Sequence, residues 1–303
     1  MRVLYICPLK YGENPSIDAM THAIDHTLAE AGLELRVGYA DFRDDDWLQR
    51  TNTLIEEAVA AGVRAIVFYS IDVDEPADAV AEARRQGVSV VAVERPRFPV
   101  DASLVYPNFN HGVYMAEYLA SLLPAGAKVG IDGGPGTADD TELVLGFVHG
   151  LQVYGLDLVN DPMDERYRNT LDVRSGGYEK TKNLLADFSH LDGLIPYNDE
   201  TALGAIDALR ETGRLGEVKT VSRNGTPNAV RLVAEGVHHG TWDLHALGIG
   251  KQVGDLVVRL VLNEEKLDGL CVASAIGHMI TPELARSWVP WDKRIPFHPL
   301  REW

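Results

Sequence analysis

Six segments of this chain place hydrogen-bonding side chains directly after a short apolar run. They are "KYGENPS" (10–16), "SIDVDEP" (70–76), "ERPR" (94–97), "DGGPGTADDT" (132–141), "YNDET" (197–201) and "RNGTPN" (223–228). Their chemistry is that of hydroxyl recognition. Asparagine both donates and accepts, carboxylates accept, and arginine forks onto paired oxygens. A phosphate cradle would need glycine instead, yet the first segment holds only Gly12. In "GGPGT" (133–137), Asp139 stands where the third glycine of a dinucleotide loop belongs, so the stretch reads as a turn. No Gly-x4-Gly-Lys-Ser/Thr, Gly-x-Ser-x-Gly or His-Glu-x-x-His occurs, which leaves catalysis no local motif.

The histidines are weighed as metal ligands. His22 and His26 have i, i+4 spacing, but they lie opposite the stripe Ile17, Ile24, Leu28 and read as a solvated helix face. For His238, His239 and His245, packing or ligand hydrogen bonding is preferred to a metal cluster. Only Cys7 and Cys271 occur, with no zinc spacing, and Cys7 ends an apolar run as a buried thiol. No metal and no cofactor are expected.

The elements that must position these segments alternate regularly. Apolar runs at 3–7, 35–40, 65–69, 88–93, 128–131, 156–160, 193–196 and 218–222 read as strands. Amphipathic stretches near 15–31, 47–61, 75–86, 109–123, 138–154, 175–188, 199–213, 227–235 and 246–264 read as helices. Continuous apolar strands alternating with helices mean parallel sheets covered on both faces. Asn14 and Pro15 start the first helix as N-cap and first helical residue, and Asp199 reads as the cap of the helix at 199–213. The strand–helix series runs twice, over 2–106 and 128–236. The expected fold is therefore α/β, two doubly wound parallel-sheet lobes joined by a multi-strand hinge. The expected lobes are 1–107 plus 245–272, and 108–244 plus 273–303. Their strand ends would face a shared cleft.

Bulk properties narrow the partners. The chain has 303 residues, 46% hydrophobic and 24% charged, enough for two domains with full cores. A net charge of −17 argues against nucleic acid, which needs a basic face. No run approaches the length of a membrane span, and no signal segment precedes the first strand. The expected location is extracytoplasmic with the leader removed, or cytoplasmic if Met1 is the native start.

The motifs "NPSIDAM", "AVERPR", "YPNFNHGVYMAEYLA", "GGPGTADDTELVLGF", "YNDETALGAIDAL" and "RNGTPNAVRLVAEG" resemble, in order and spacing, the type I periplasmic sugar-binding proteins of the ribose-binding kind. The resemblance runs from Arg2 to about Pro282, and its strongest piece is "NDETALGAIDAL". It implies a receptor that closes on one small polar ligand and presents it to the membrane subunits of an ABC-type permease, acting as a monomer. Carried over by position, Asn14, Glu94, Arg95, Asn108, Asn198 and Asn224 match the family's ligand-binding residues. Departures are equally specific. Ser16 and Ile17 replace two stacking aromatics, Thr141 replaces an arginine, Asp172 (with Arg174 nearby) replaces an aromatic, and Leu244, between Asp243 and His245, replaces a glutamine. Tyr11, Phe109, Tyr197 or Trp242 can supply substitute aromatic surface. The candidate ligand set is thus Tyr11, Asn14, Ser16, Glu94, Arg95, Asn108, Thr141, Asp172, Arg174, Asn198, Asn224, Asp243 and His245. The fold is shared with effector modules of lactose-repressor-type regulators, which form the alternative reading, together with a ligand-sensing partner of a membrane receptor. An α/β enzyme using cleft carboxylates is a third reading.

Overall fold

The apolar runs become strands and the amphipathic stretches helices in the computed structural model, which describes residues 1–303. The chain forms two units. The first comprises Met1–Tyr106, Ala246–Ala275 and Trp291–Trp303, and the second Pro107–His245 and Ile276–Pro290, so the backbone passes between them four times.

The first unit begins β1 (Arg2–Cys7), α1 (Pro15–Glu30), β2 (Glu34–Tyr39), α2 (Trp47–Ala60), β3 (Ala65–Tyr69), α3 (Ala77–Arg85), β4 (Ser89–Val93) and β5 (Ala102–Val105). The second follows with α4 (Asn108–Ser121), β6 (Lys128–Asp132), α5 (Ala138–Val153), β7 (Asp157–Leu158), α6 (Arg174–Asp187), β8 (Gly193–Pro196), α7 (Asp199–Glu211), β9 (Lys219–Asn224), α8 (Pro227–Ala234) and β10 (Gly240–Asp243). The chain then adds α9 (Ala246–Val261) and β11 (Leu270–Ala273) to the first unit, and β12 (His278–Ile280) and α10 (Pro282–Ala285) to the second.

One sheet has the order β11-β5-β4-β3-β1-β2, all parallel. The other has the order β12-β10-β9-β8-β6-β7, parallel except where β12 runs against β10. With β6 in the place of β1, the two orders are the same. Within each sheet every parallel strand therefore ends on one edge, where loops of open α/β sheets hold ligands. The core beneath the first edge packs Leu4, Leu54, Ile66, Phe68 and Val90, and the second packs Leu184, Leu194 and Leu209.

As the sequence reading has it, no helix follows β4, which runs on to β5; α9 packs against β4, β5 and α1 in that place. Two departures from the sequence reading have local causes. The strand expected at 156–160 shortens to β7, because the Asn160 side chain takes over the ladder. Its Oδ1 accepts from the Ile131 N–H at 3.0 Å, and its Nδ2 donates to the Ile131 carbonyl at 2.9 Å. Finally, residues 291–303, expected with the rest of 273–303 in the second lobe, belong to the first unit. The Val37 N–H donates to the Arg301 carbonyl at 2.8 Å and the Trp303 N–H to the Val37 carbonyl at 2.9 Å, covering the open edge of β2.

Cys7 is buried inside β1, and burial pushes its thiol up to about 12; Cys271 is exposed on β11. No helix is long and apolar enough to cross a membrane.

Candidate functional site

In the second unit the segments after β6, β7 and β8, the end of β9 and the start of α4 bring six polar side chains into one buried group. Asn198 ends the β8 loop and caps α7, its Oδ1 accepting from the Thr201 N–H at 2.9 Å. Its Nδ2 donates to Asp172 Oδ1 at 2.5 Å, and the Tyr197 hydroxyl donates to the same oxygen. Asp172 thereby fixes both neighbours. Arg223, the next-to-last residue of β9 and only 5% exposed, donates from Nη1 to Asn108 Oδ1 at 2.8 Å. Asp140, buried in the first turn of α5, accepts from the Thr137 hydroxyl at 2.9 Å. Burial raises its carboxyl well above the usual range, Asp139 and Asp172 push the same way, and Arg223 opposes. Burial likewise raises the Tyr197 phenol, with Asp172 and Asp140 adding to it. Burial and then Arg223 hold His111 down to about 3, so its ring is neutral.

The glycines of "GGPGT" serve this packing. A Cβ on Gly134 would sit 2.8 Å from Tyr197 Cδ2 and 3.0 Å from Asp140 Cγ. The turn reading of that stretch holds, and its function is to let Tyr197 and Asp140 close in.

Backbone strain marks the same edges. Of the six non-glycine residues with positive φ, four are candidate ligand residues: Glu94 (64°), Asp172 (54°), Asn224 (129°) and His245 (58°). Each such conformation costs about 1–3 kcal/mol and persists where the surroundings over-determine it, commonly at binding sites. Asn224 is buried and its side-chain amide makes no hydrogen bond within the protein, which leaves it available to a ligand.

The first unit supplies a smaller polar set at its own strand ends. Asn14 caps α1, accepting from the N–H groups of Ser16 (3.1 Å) and Ile17 (3.4 Å), and Ser16 is buried beside it. Glu94 Oε1 accepts from the Tyr106 N–H at 3.4 Å. Arg95 is exposed and makes no ion pair. Tyr11 is 56% exposed, with its hydroxyl 3.1 Å from His22 Nε2.

Other expected residues are placed differently. Arg174 is exposed and bound to Asp207 through Nε (2.7 Å) and Nη2 (2.9 Å), apart from the Asp172 group. Thr141 continues the first turn of α5, its N–H on the Thr137 carbonyl at 3.0 Å. His22 does not face solvent. It is 3% exposed and stacks on Phe297, ring centroids 4.1 Å apart, because the returning C-terminal segment covers that face of α1. Asp199 is not the helix cap; Asn198 is. Instead Asp199, fully buried, accepts from the Ser222 hydroxyl, the Thr241 hydroxyl (2.7 Å) and the Thr226 N–H (2.7 Å), tying β9, β10 and α8 together. His238 lies between Thr220 (2.7 Å) and Ser222 (2.8 Å), so it is a packing residue, whereas His245 is elsewhere beside Asp243. Ser222, His238 and Asp199 have the residue types of a hydrolytic triad. Yet the carboxylate holds the serine and not the imidazole, and the serine is wholly buried, so the arrangement cannot deliver a nucleophile.

Sequence reasoning missed Asp140 and Arg223 as members of the group. The available signal was an arginine at the end of an expected buried strand, since buried arginines almost always have a partner.

A doubled α/β sheet with polar strand ends defines the architecture, and comparison assigns the family. The chain belongs to the periplasmic binding protein domain family, which it matches over residues 7–265. It is similar to the ribose import binding protein RbsB of Bacillus subtilis, at 25% identity over 226 residues, 73% of this chain and 70% of that one. It is also similar to the xylitol-binding protein of Mycolicibacterium smegmatis, at 27% identity over 68% of this chain and 59% of that one. Among solved structures it shares its fold with an ABC transporter periplasmic solute binding protein from Actinobacillus succinogenes bearing D-allose. That match has a TM-score of 0.83 and 19% identity, over 95% of this chain and 99% of the other. The myo-inositol binding protein of Caulobacter gives a TM-score of 0.78 at 20% identity, over 94% of each chain.

Proposed function

We propose that this chain is a solute-binding protein that captures a sugar, polyol or sugar derivative and presents it to the membrane subunits of an ABC-type importer, working as a monomer outside the cytoplasm. The observation that carries the reading is the buried group Asp172–Tyr197–Asn198 with Arg223–Asn108, a lining of fixed donors and acceptors without an activated nucleophile. Relatives named for ribose and xylitol support the ligand class. In so dry a setting each hydrogen bond to a hydroxyl counts for more than in water.

On this reading Asn14, Ser16, Glu94, Arg95, Asn198 and Asn224 meet ligand hydroxyls. The missing stacking pair at Ser16 and Ile17 argues for a ligand other than ribose. Thermal-shift screening with pentoses, hexoses, polyols and sugar acids tests it. A binder raises the melting temperature, with the logarithm of its concentration once that exceeds Kd, and mass analysis recovers it unchanged. Asn198→Ala and Arg95→Ala should each abolish that shift while the protein remains folded. Full ligand stabilisation in both variants, or turnover of the ligand, overturns the proposal.

A further inference from the structure

We propose that Asp243, His245 and His278 form a binding site for a zinc-type divalent cation. Asp243 ends β10 and is the direct antiparallel partner of His278 on β12. His245 follows two residues later. One potential ligand atom from each of the three lies within 4.8 Å of the others, and the two imidazole centroids are 5.2 Å apart. Asp243 is 1% exposed. Its Oδ1 accepts from the His245 N–H at 2.7 Å, while Oδ2 is buried with no partner at all. An unpartnered carboxylate oxygen held away from water is costly, and a cation would compensate it.

The backbone is shaped to bring these three together. His245 holds a φ of 58°, which directs the chain sharply after β10. Gly277 holds a φ of 85°, and a Cβ there would lie 2.2 Å from the Asp243 carbonyl oxygen, so only glycine lets His278 come this close.

The donor set selects the metal. Magnesium and calcium want six or more oxygens, whereas two imidazoles and one carboxylate suit zinc and its neighbours. Tetrahedral zinc with bonds of about 2.0–2.2 Å sets its ligand atoms about 3.4 Å apart, a contraction within reach of side-chain rotation. Asp243 is buried, His245 half-buried and His278 exposed, which leaves an entry path and a fourth position for water.

The test uses metal alone, without sugar, so it is separate from the solute-binding proposal. Chelator-treated protein is titrated with Co(II), then Zn(II). The expected result is one equivalent of Co(II) with the strong visible absorption of four-coordinate cobalt, displaced by Zn(II). His278→Ala, an exposed change that leaves the thermal melt in place, should weaken binding by about 100-fold. Asp243→Asn should do the same, and His190→Ala should bind like the parent protein. Absence of the cobalt band, or undiminished binding by His278→Ala, overturns the site.

Discussion

Arg223 shows how much one buried charge organises. Its guanidinium donates to Asn108, opposes the rise at Asp140 and adds to the burial that keeps His111 neutral. A charge-assisted hydrogen bond is worth about 1.5–3 kcal/mol, so Arg223→Met should weaken ligand binding by about 10- to 100-fold in calorimetry. His238 offers a pH test. Burial holds its ring down to about 3, against 6.5 when unfolded, so the fold favours the neutral form. That stability is complete above pH 6.5 and is lost as pH falls from 6.5 toward 3. His238→Gln should therefore flatten the slope of stability against pH across that window in denaturant titrations, whatever its effect at pH 7. Asn14 and Asn198 were legible in sequence because each sits where an apolar run gives way to a helix start. Asp140 and Arg223 were not, since nothing in spacing tells which strand residue turns toward a neighbour. Asp172 lies in a loop without periodicity, and only its bonds to Tyr197 and Asn198 reveal its place.

Elements meet through glycines as well as through side chains. In α4 and α5 a Cβ on Gly146 would lie 2.2 Å from the Phe109 carbonyl, and one on Gly112 2.4 Å from that of Leu143. In α1 and α9 a Cβ on Gly250 would lie 2.2 Å from the Met20 carbonyl. Alanine favours an isolated helix by about 1 kcal/mol over glycine, but forcing the helices apart costs about 1–3 kcal/mol. Gly146→Ala should accordingly lower the melting temperature despite its better propensity, which differential scanning calorimetry would register. Strands β1–β4 and β6–β9 and all nine expected helices were readable, because burial on both faces writes continuous apolar runs. Strands β5, β10, β11 and β12 were not, being short and at or near sheet edges, where pairing partners far along the chain decide the conformation.

At the level of the whole molecule, the doubled strand order was visible as a doubled series of motifs. The return of 291–303 to the first unit was not, because it depends on Val37 meeting Arg301 and Trp303, and on His22 meeting Phe297. Removing residues 296–303 should expose the amides of β2 and one face of α1 to hydrogen exchange. Protection in β8 and β9 should remain as in the intact chain. Equal loss in both units would show that the terminal segment supports more than its own sheet. The two sulfhydryls, one sealed within a strand paired on both sides and one displayed at a sheet margin, have a practical corollary. A maleimide dye should couple once, at Cys271, giving an optical reporter on the first unit with no engineered attachment point.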